Sequence, residues 1–155
     1  MSEDQKQAQR LRELQAKLDR TEAATPEFIL NVIARGCLRF QSQSPIVKAK
    51  VARLIETGAV IDAIFALQAL ELSQWKLRRI AYDDGEWHCS FSKYPELPVE
   101  LDDPAEAKHE DLGAAILGAF LEARRLSLTM DEVRSQSGAQ VRPLTDNVMC
   151  YENSI

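Results

Sequence analysis

Ile80-Ala81-Tyr82-Asp83-Asp84-Gly85-Glu86-Trp87-His88-Cys89-Ser90-Phe91 is the stretch on which the fold class turns. Up to Leu72 the apolar residues recur at helical spacing, and from about Gln74 they alternate. Asp84-Gly85 favours a two-residue primed turn, because both central residues need positive φ. With those two at the turn, Asp83 faces Glu86, Tyr82 faces Trp87, Ala81 faces His88, Ile80 faces Cys89, Arg79 faces Ser90 and Arg78 faces Phe91. Ile80, Tyr82, Trp87, Cys89 and Phe91 then share one face. Arg79, Ala81, Asp83, Glu86, His88 and Ser90 share the other. A one-residue slip scrambles this sorting, so the register is well specified. A lone hairpin is marginal in water, so its aromatic face must cover helices or pair with strands of another subunit.

Upstream the chain reads as helices. Residues 4–21 are polar except for a stripe of Ala8, Leu11, Leu14 and Leu18, too short for a coiled coil, which must dock on its own domain or on another chain. Thr25-Pro26 and Ser44-Pro45 are helix starts, with a capping hydroxyl followed by proline at the first helical position. Phe28, Ile29, Val32, Ile33, Gly36, Cys37 and Phe40 form one sustained face after the first start. Ile46, Val47, Val51, Leu54 and Ile55 form the next. Thr57-Gly58 ends or kinks that helix. Ala59 to Leu72 is apolar nearly all round and is the expected central, most buried helix.

Downstream, Pro95 and Pro98 mark a loop. Asp103-Pro104-Ala105-Glu106 has a capping Asp, Pro at the first position and Glu three residues on, which predicts a helix from 104 to about Arg125. Gly113 and Gly118 inside it cost about 1 kcal/mol each against Ala, so close packing is expected there. Thr129 to Glu132 predicts one more short helix, and a flexible tail follows. The expected fold is α+β and mostly helical, with four to five helices and one antiparallel β-hairpin near residues 75–92. Residues 1–24 form an N-terminal polar helix, 25–126 the helical core with the hairpin, and 127–155 a short helix and tail.

Composition limits the function classes. The 155 residues are 45% apolar, 28% charged and 6% aromatic, enough for one ordinary core. The net charge of −5 hides an uneven spread: residues 1–25 are neutral, 26–80 carry +4 and 81–155 carry −9. An acidic chain without a basic stripe is a poor nucleic-acid binder. A helix-turn-helix over residues 26–72 fails because its second helix lacks outward Arg, Lys, Asn or Gln in its first two turns. No apolar run is long enough to span a bilayer. The polar N-terminus, Met1 to Lys6, shows no apolar signal core, so a cytoplasmic setting with reduced thiols is expected, and Cys37, Cys89 and Cys150 read as small buried or incidental residues. The expectation is no nucleic acid and no membrane.

No motif of established chemistry occurs. Glu106 and His109 have the spacing of one di-iron half-motif, but a second copy is missing. His88 and Cys89 point to opposite sides of a strand and cannot share a metal. Asp102, Asp103, Glu106, Glu110 and Asp111 cluster where a helix dipole already favours carboxylates. His88 opposite Ala81, with Arg79, Asp83 and Glu86 nearby, outlines a shallow surface on the polar face. No catalytic residue, metal site or cofactor is expected.

Asp84 to Cys89, Glu96 to Pro98 and Ala105 to Leu112 together resemble a family of small uncharacterised alphaproteobacterial proteins. The resemblance covers about a third of the chain. It implies a bacterial cytosolic origin and carries over no functional residues.

The functional expectation is a non-enzymatic protein-interaction or regulatory module whose partner is a protein, with a homodimer the option that free strand edges invite. The alternative is a small-ligand-binding protein or minor enzyme, with a pocket between the hairpin and helix 104–125. The candidate surface or pocket residues are Tyr82, Trp87, His88, Phe91 and His109.

Overall fold

The computed structural model describes residues 2–129. Along the chain run α1 (Glu3–Asp19), α2 (Pro26–Gly36), the single turn α3 (Leu38–Gln41), α4 (Pro45–Glu56) and α5 (Val60–Glu71). Then come β1 (Lys76–Asp83), β2 (Glu86–Ser92), a 3-10 turn at Val99–Leu101 and β3 (Ala105–His109). A last helix, α6, starts at residue 112 and is helical through 129. The fold is α+β and mostly helical, with one antiparallel sheet in the order β1-β2-β3. The short helix and tail expected beyond Thr129 lie outside the described residues.

The helix starts follow their local chemistry. Thr25 accepts the Phe28 amide at 3.1 Å and Ser44 the Val47 amide at 3.5 Å, each followed by proline. Ser2 and Gln5 form a reciprocal capping box on α1. The α1 stripe docks on its own domain: Leu11, Leu14 and Leu18 are buried in the main core. Each such leucine contributes about 1.5–3 kcal/mol of burial, and α1 shares one core with the residues after it.

Three details of the helical reading are corrected. The face from Phe28 to Phe40 is broken at Cys37, which leaves helical geometry at φ −115°, ψ 75°. Ile46 is exposed on α4, and only Val51 and Ile55 of the expected stripe are buried there. The most buried helix is α6 rather than α5. Residues Ala114 to Leu117, Ala119 to Leu121 and Ala123 are all sealed, because α6 runs beneath the sheet while helices also pack on it.

The sheet carries the largest correction. Residues 105–109 are a strand and not the first turn of a helix. β3 pairs antiparallel with β2, Phe91 opposite Ala105, Cys89 opposite Ala107 and Trp87 opposite His109. The pairing satisfies a row of backbone groups that β2 would otherwise leave open. The helix start lies at Asp111 instead, whose Oδ2 accepts the Ala114 amide at 2.9 Å and the Ala24 amide at 3.1 Å. Gly118 is explained by this strand: a Cβ there would stand 3.0 Å from the Cβ of Ala107. The small residues of α6 admit β3 as close as a strand can lie.

The hairpin register holds from Asp83·Glu86 to Arg79·Ser90, around a turn with Asp84 at φ 52° and Gly85 at φ 81°. Beyond that it shifts. Leu77, not Arg78, lies opposite Phe91, and Arg78 is bulged out of the ladder.

Candidate functional site

The bulge is held by a buried network. Arg78 Nη1 donates to Asp102 Oδ2 at 2.9 Å and to the Pro95 carbonyl at 3.0 Å, and Nη2 donates to the Leu97 carbonyl at 2.9 Å. Asp102 Oδ1 accepts from Ser92 Oγ at 2.8 Å. This cluster ties the connection between β2 and β3 to the base of β1. Two strand residues, Arg78 and Arg79, thus part company. Arg78 is consumed in the network, whereas Arg79 stays exposed on the outer face of the sheet.

The five candidate residues do not gather in one place. Phe91 is fully buried and meets Phe65 edge-on at 6.2 Å. His109, on the same face of the sheet, is also committed. Its Nδ1 accepts the Asp111 amide at 2.9 Å, so the proton sits on Nε2, which donates to the Thr21 carbonyl at 2.9 Å. That ring latches the end of β3 to the end of α1. Tyr82 and Trp87 do meet, ring centroids 5.0 Å apart at 61°. Tyr82 is 60% exposed and Trp87 half-buried. His88 lies across the sheet from all of them.

Around His88 the outer face dips into an open depression of about 420 Å³, bordered by Arg79, Ala81, Asp83, Ser90 and Lys108. Lys108 stands 4.0 Å from Glu86. Glu106 and His109, with their di-iron spacing, point to opposite faces of β3. No group of three or more metal-ligating side chains gathers among the described residues.

Neither described thiol is poised as a nucleophile. Burial pushes the Cys89 thiol up to about 12. Burial, and secondarily the Glu71 carboxylate, does the same to Cys37.

What remains open is the edge of the sheet at β1. Among the described residues it pairs only with β2, and Leu77, Ile80 and Tyr82 along it are exposed. The opposite edge, at β3, runs beside the end of α1 and is pinned there by His109. Alternation along the ladder decides which backbone groups are free. A two-residue turn makes Asp83·Glu86 a hydrogen-bonded pair, as then are Ala81·His88 and Arg79·Ser90. The amides and carbonyls of Ile80 and Tyr82 therefore point away from β2. Among the described residues no backbone group outside the sheet pairs with them.

No protein-family model, no curated protein and no solved structure matches the chain.

Among the described residues, no helix is long and apolar enough to cross a membrane. The residues that organise this surface but carry no sequence signal are Arg78 and Asp102, whose ion pair spans 24 positions.

Proposed function

We propose that the chain is a non-enzymatic protein-interaction module that takes up a partner strand along the β1 edge. The observation that carries the reading is the exposed edge itself, with outward-pointing backbone groups at Ile80 and Tyr82 and apolar side chains beside them. Natural edges are blunted by charged side chains, bulges, proline or a covering element. Here a bulge at Arg78 and the charges of Arg79 and Asp83 bound the edge, and among the described residues the stretch Ile80 to Tyr82 between them carries none of these. Strand addition uses the free backbone for affinity and alternate side chains for specificity. We place the module in a reducing, cytoplasmic setting, in which thiols such as Cys37 and Cys89 stay free.

The test is to place charge where the edge is apolar. Ile80→Lys with Tyr82→Lys should abolish concentration-dependent association measured by sedimentation, while the melting temperature of the dilute protein changes little. Association that survives both substitutions overturns the reading.

The depression around His88 favours a second reading, a small-ligand site on the outer face. A thermal-shift screen with metabolites decides it: a reproducible shift lost in His88→Ala supports it, and a silent screen rejects it.

A further inference from the structure

The partner strand and its register follow from how the β1 edge is bounded, given the strand-addition reading above. At one end Arg78 is bulged out of the ladder and clamped by Asp102 and the Pro95 and Leu97 carbonyls. At the other end the chain turns at Asp84-Gly85. The regular stretch between them is Arg79 to Asp83, and its midpoint is Ala81. We propose that the partner is a second copy of this chain, its β1 antiparallel to the first across a twofold axis through Ala81, joining two sheets into one six-stranded sheet.

Three independent features converge on that register. It uses the whole regular stretch on both copies. It sets Ile80 opposite Tyr82 of the second copy, twice, so the free amides and carbonyls meet in about four hydrogen bonds. It also sets Arg79 opposite Asp83 of the second copy, twice, an opposite-charge cross-strand pair on the polar face. Side-chain alternation allows only shifts of two residues. Moving the axis to Ile80 puts Arg79 opposite Ala81 and forces the bulged Arg78 against Tyr82. Moving it to Arg79 opposes two arginines. Moving it to Tyr82 puts Arg79 opposite Gly85 and Asp83 opposite Ala81. Only the axis at Ala81 pairs both charges.

On the other face, Ile80 of one copy meets the Tyr82–Trp87 pair of the other, which covers the apolar side chains that a single chain leaves in water. The junction is short beside a standard interface of about 1,600 Å². Dimerisation is accordingly expected in the range of tens to hundreds of micromolar chain, roughly, with rapid exchange.

Charge reversal tests the register in the full chain. By sedimentation equilibrium, Arg79→Asp and Asp83→Arg should each weaken self-association at least tenfold, since each creates two like-charge pairs. An equimolar mixture of the two variants should associate within about threefold of the wild type, because both cross-strand pairs become opposite in charge again. The double variant R79D/D83R should likewise dimerise. Rescue by mixing requires folded chains, so it separates repulsion from misfolding. If the wild type dimerises and the lysine variants abolish this, but charge reversal has no effect or mixing does not rescue, the register is overturned and strand addition stands. A dimer indifferent to the lysine substitutions overturns strand addition itself. A chain monomeric to about 1 mM overturns the second copy as the partner.

Discussion

Arg124→Met is the substitution whose cost the structure predicts most sharply. Arg124 on α6 and Glu71 on α5 are both almost sealed from solvent. They divide the work of closing the break at Cys37. Arg124 donates through Nε at 3.2 Å and Nη2 at 3.1 Å to the Gly36 carbonyl, which ends α2. Glu71 Oε2 accepts the Phe40 amide at 2.6 Å, in the first turn of α3. Arg124 Nε stands 3.9 Å from Glu71 Oε1, and that oxygen has no hydrogen-bond partner among the described residues. Charge alone therefore compensates it. Methionine keeps an unbranched apolar stem like that of arginine but removes the cation. The Gly36 carbonyl loses both donors, and Glu71 is left buried with one amide. Removing one partner of a buried pair costs about 3–5 kcal/mol, or roughly 6–20 °C in melting temperature for a chain of this size. Glu71→Gln should cost about 1–3 kcal/mol, because glutamine still accepts from Phe40 and Arg124 still holds Gly36. In the double variant the stranded charges disappear together, so its cost should fall short of the sum by about 1–3 kcal/mol. Urea unfolding followed by circular dichroism, with unchanged m-values, measures all three. A cost below about 1 kcal/mol for Arg124→Met, or additivity within about 0.5 kcal/mol, refutes the reasoning.

Three further outcomes are expected. The Glu122 carboxyl is held below its ordinary range chiefly by the Arg125 guanidinium, against the opposing effect of burial, with Gln15 adding a smaller lowering; a lowered folded value means stability that is present above the unfolded value of about 4.3 and lost as pH falls through the folded one. The melting-temperature advantage of wild type over Glu122→Gln should hold at pH 7 and shrink steadily below about pH 5, whereas an advantage that grows on acidification contradicts it. In a Cys150→Ser background, Cys37 and Cys89 should resist a disulfide reagent until the protein unfolds, because burial pushes both thiols up to about 12; fast labelling of the native protein is the contrary result. Asp111→Ala should cost about 1–2 kcal/mol, since one carboxylate oxygen caps α6 and holds the Ala24 amide, and urea midpoints measure it.

The parts of the fold that depend on near neighbours could be read from the sequence. The turn residues Asp84 and Gly85 and the alternation around them specify the ladder from Asp83·Glu86 to Arg79·Ser90. Thr25-Pro26 and Ser44-Pro45 start helices because both requirements, a side-chain acceptor and a fixed φ, are met within four residues. The parts that depend on distant partners could not. Cys37 continues a helical pattern, and what breaks the helix is Glu71 and Arg124, 31 and 88 positions from the groups they bind. Asp103-Pro104-Ala105-Glu106 has every local mark of a helix start. It yields because β2 needs a second partner, and because alternating Ala105 and Ala107 let a strand lie against Gly118. The period-two signal over Ala105 to His109 was present, but five residues are too few to outweigh a capping pattern.

The candidate site divides along the same line. Which face of the hairpin each residue occupies is a matter of parity, so Tyr82 and Trp87 together and His88 opposite them were legible. Which of those faces is covered is a matter of where the helices end. Phe91 lies over Phe65, whereas Tyr82 meets its cross-strand neighbour Trp87 and stays 60% exposed, though both belong to one stripe. The bulge at Arg78 falls in neither category. Arg78 and Arg79 are adjacent and chemically identical, and only the carboxylate of Asp102, with the Pro95 and Leu97 carbonyls behind it, separates their fates. Withdrawing Arg78 keeps a cation off the apolar face and ends the regular edge, and leaving Arg79 in the ladder keeps one charge to match Asp83. A ladder running straight through to Lys76 would offer a longer edge with more registers to choose from. In the proposed dimer the bulge does for β1 what a covering helix does at other edges: it limits which strand can join, to one that meets Arg79 to Asp83 and brings its own Arg and Asp in reverse order.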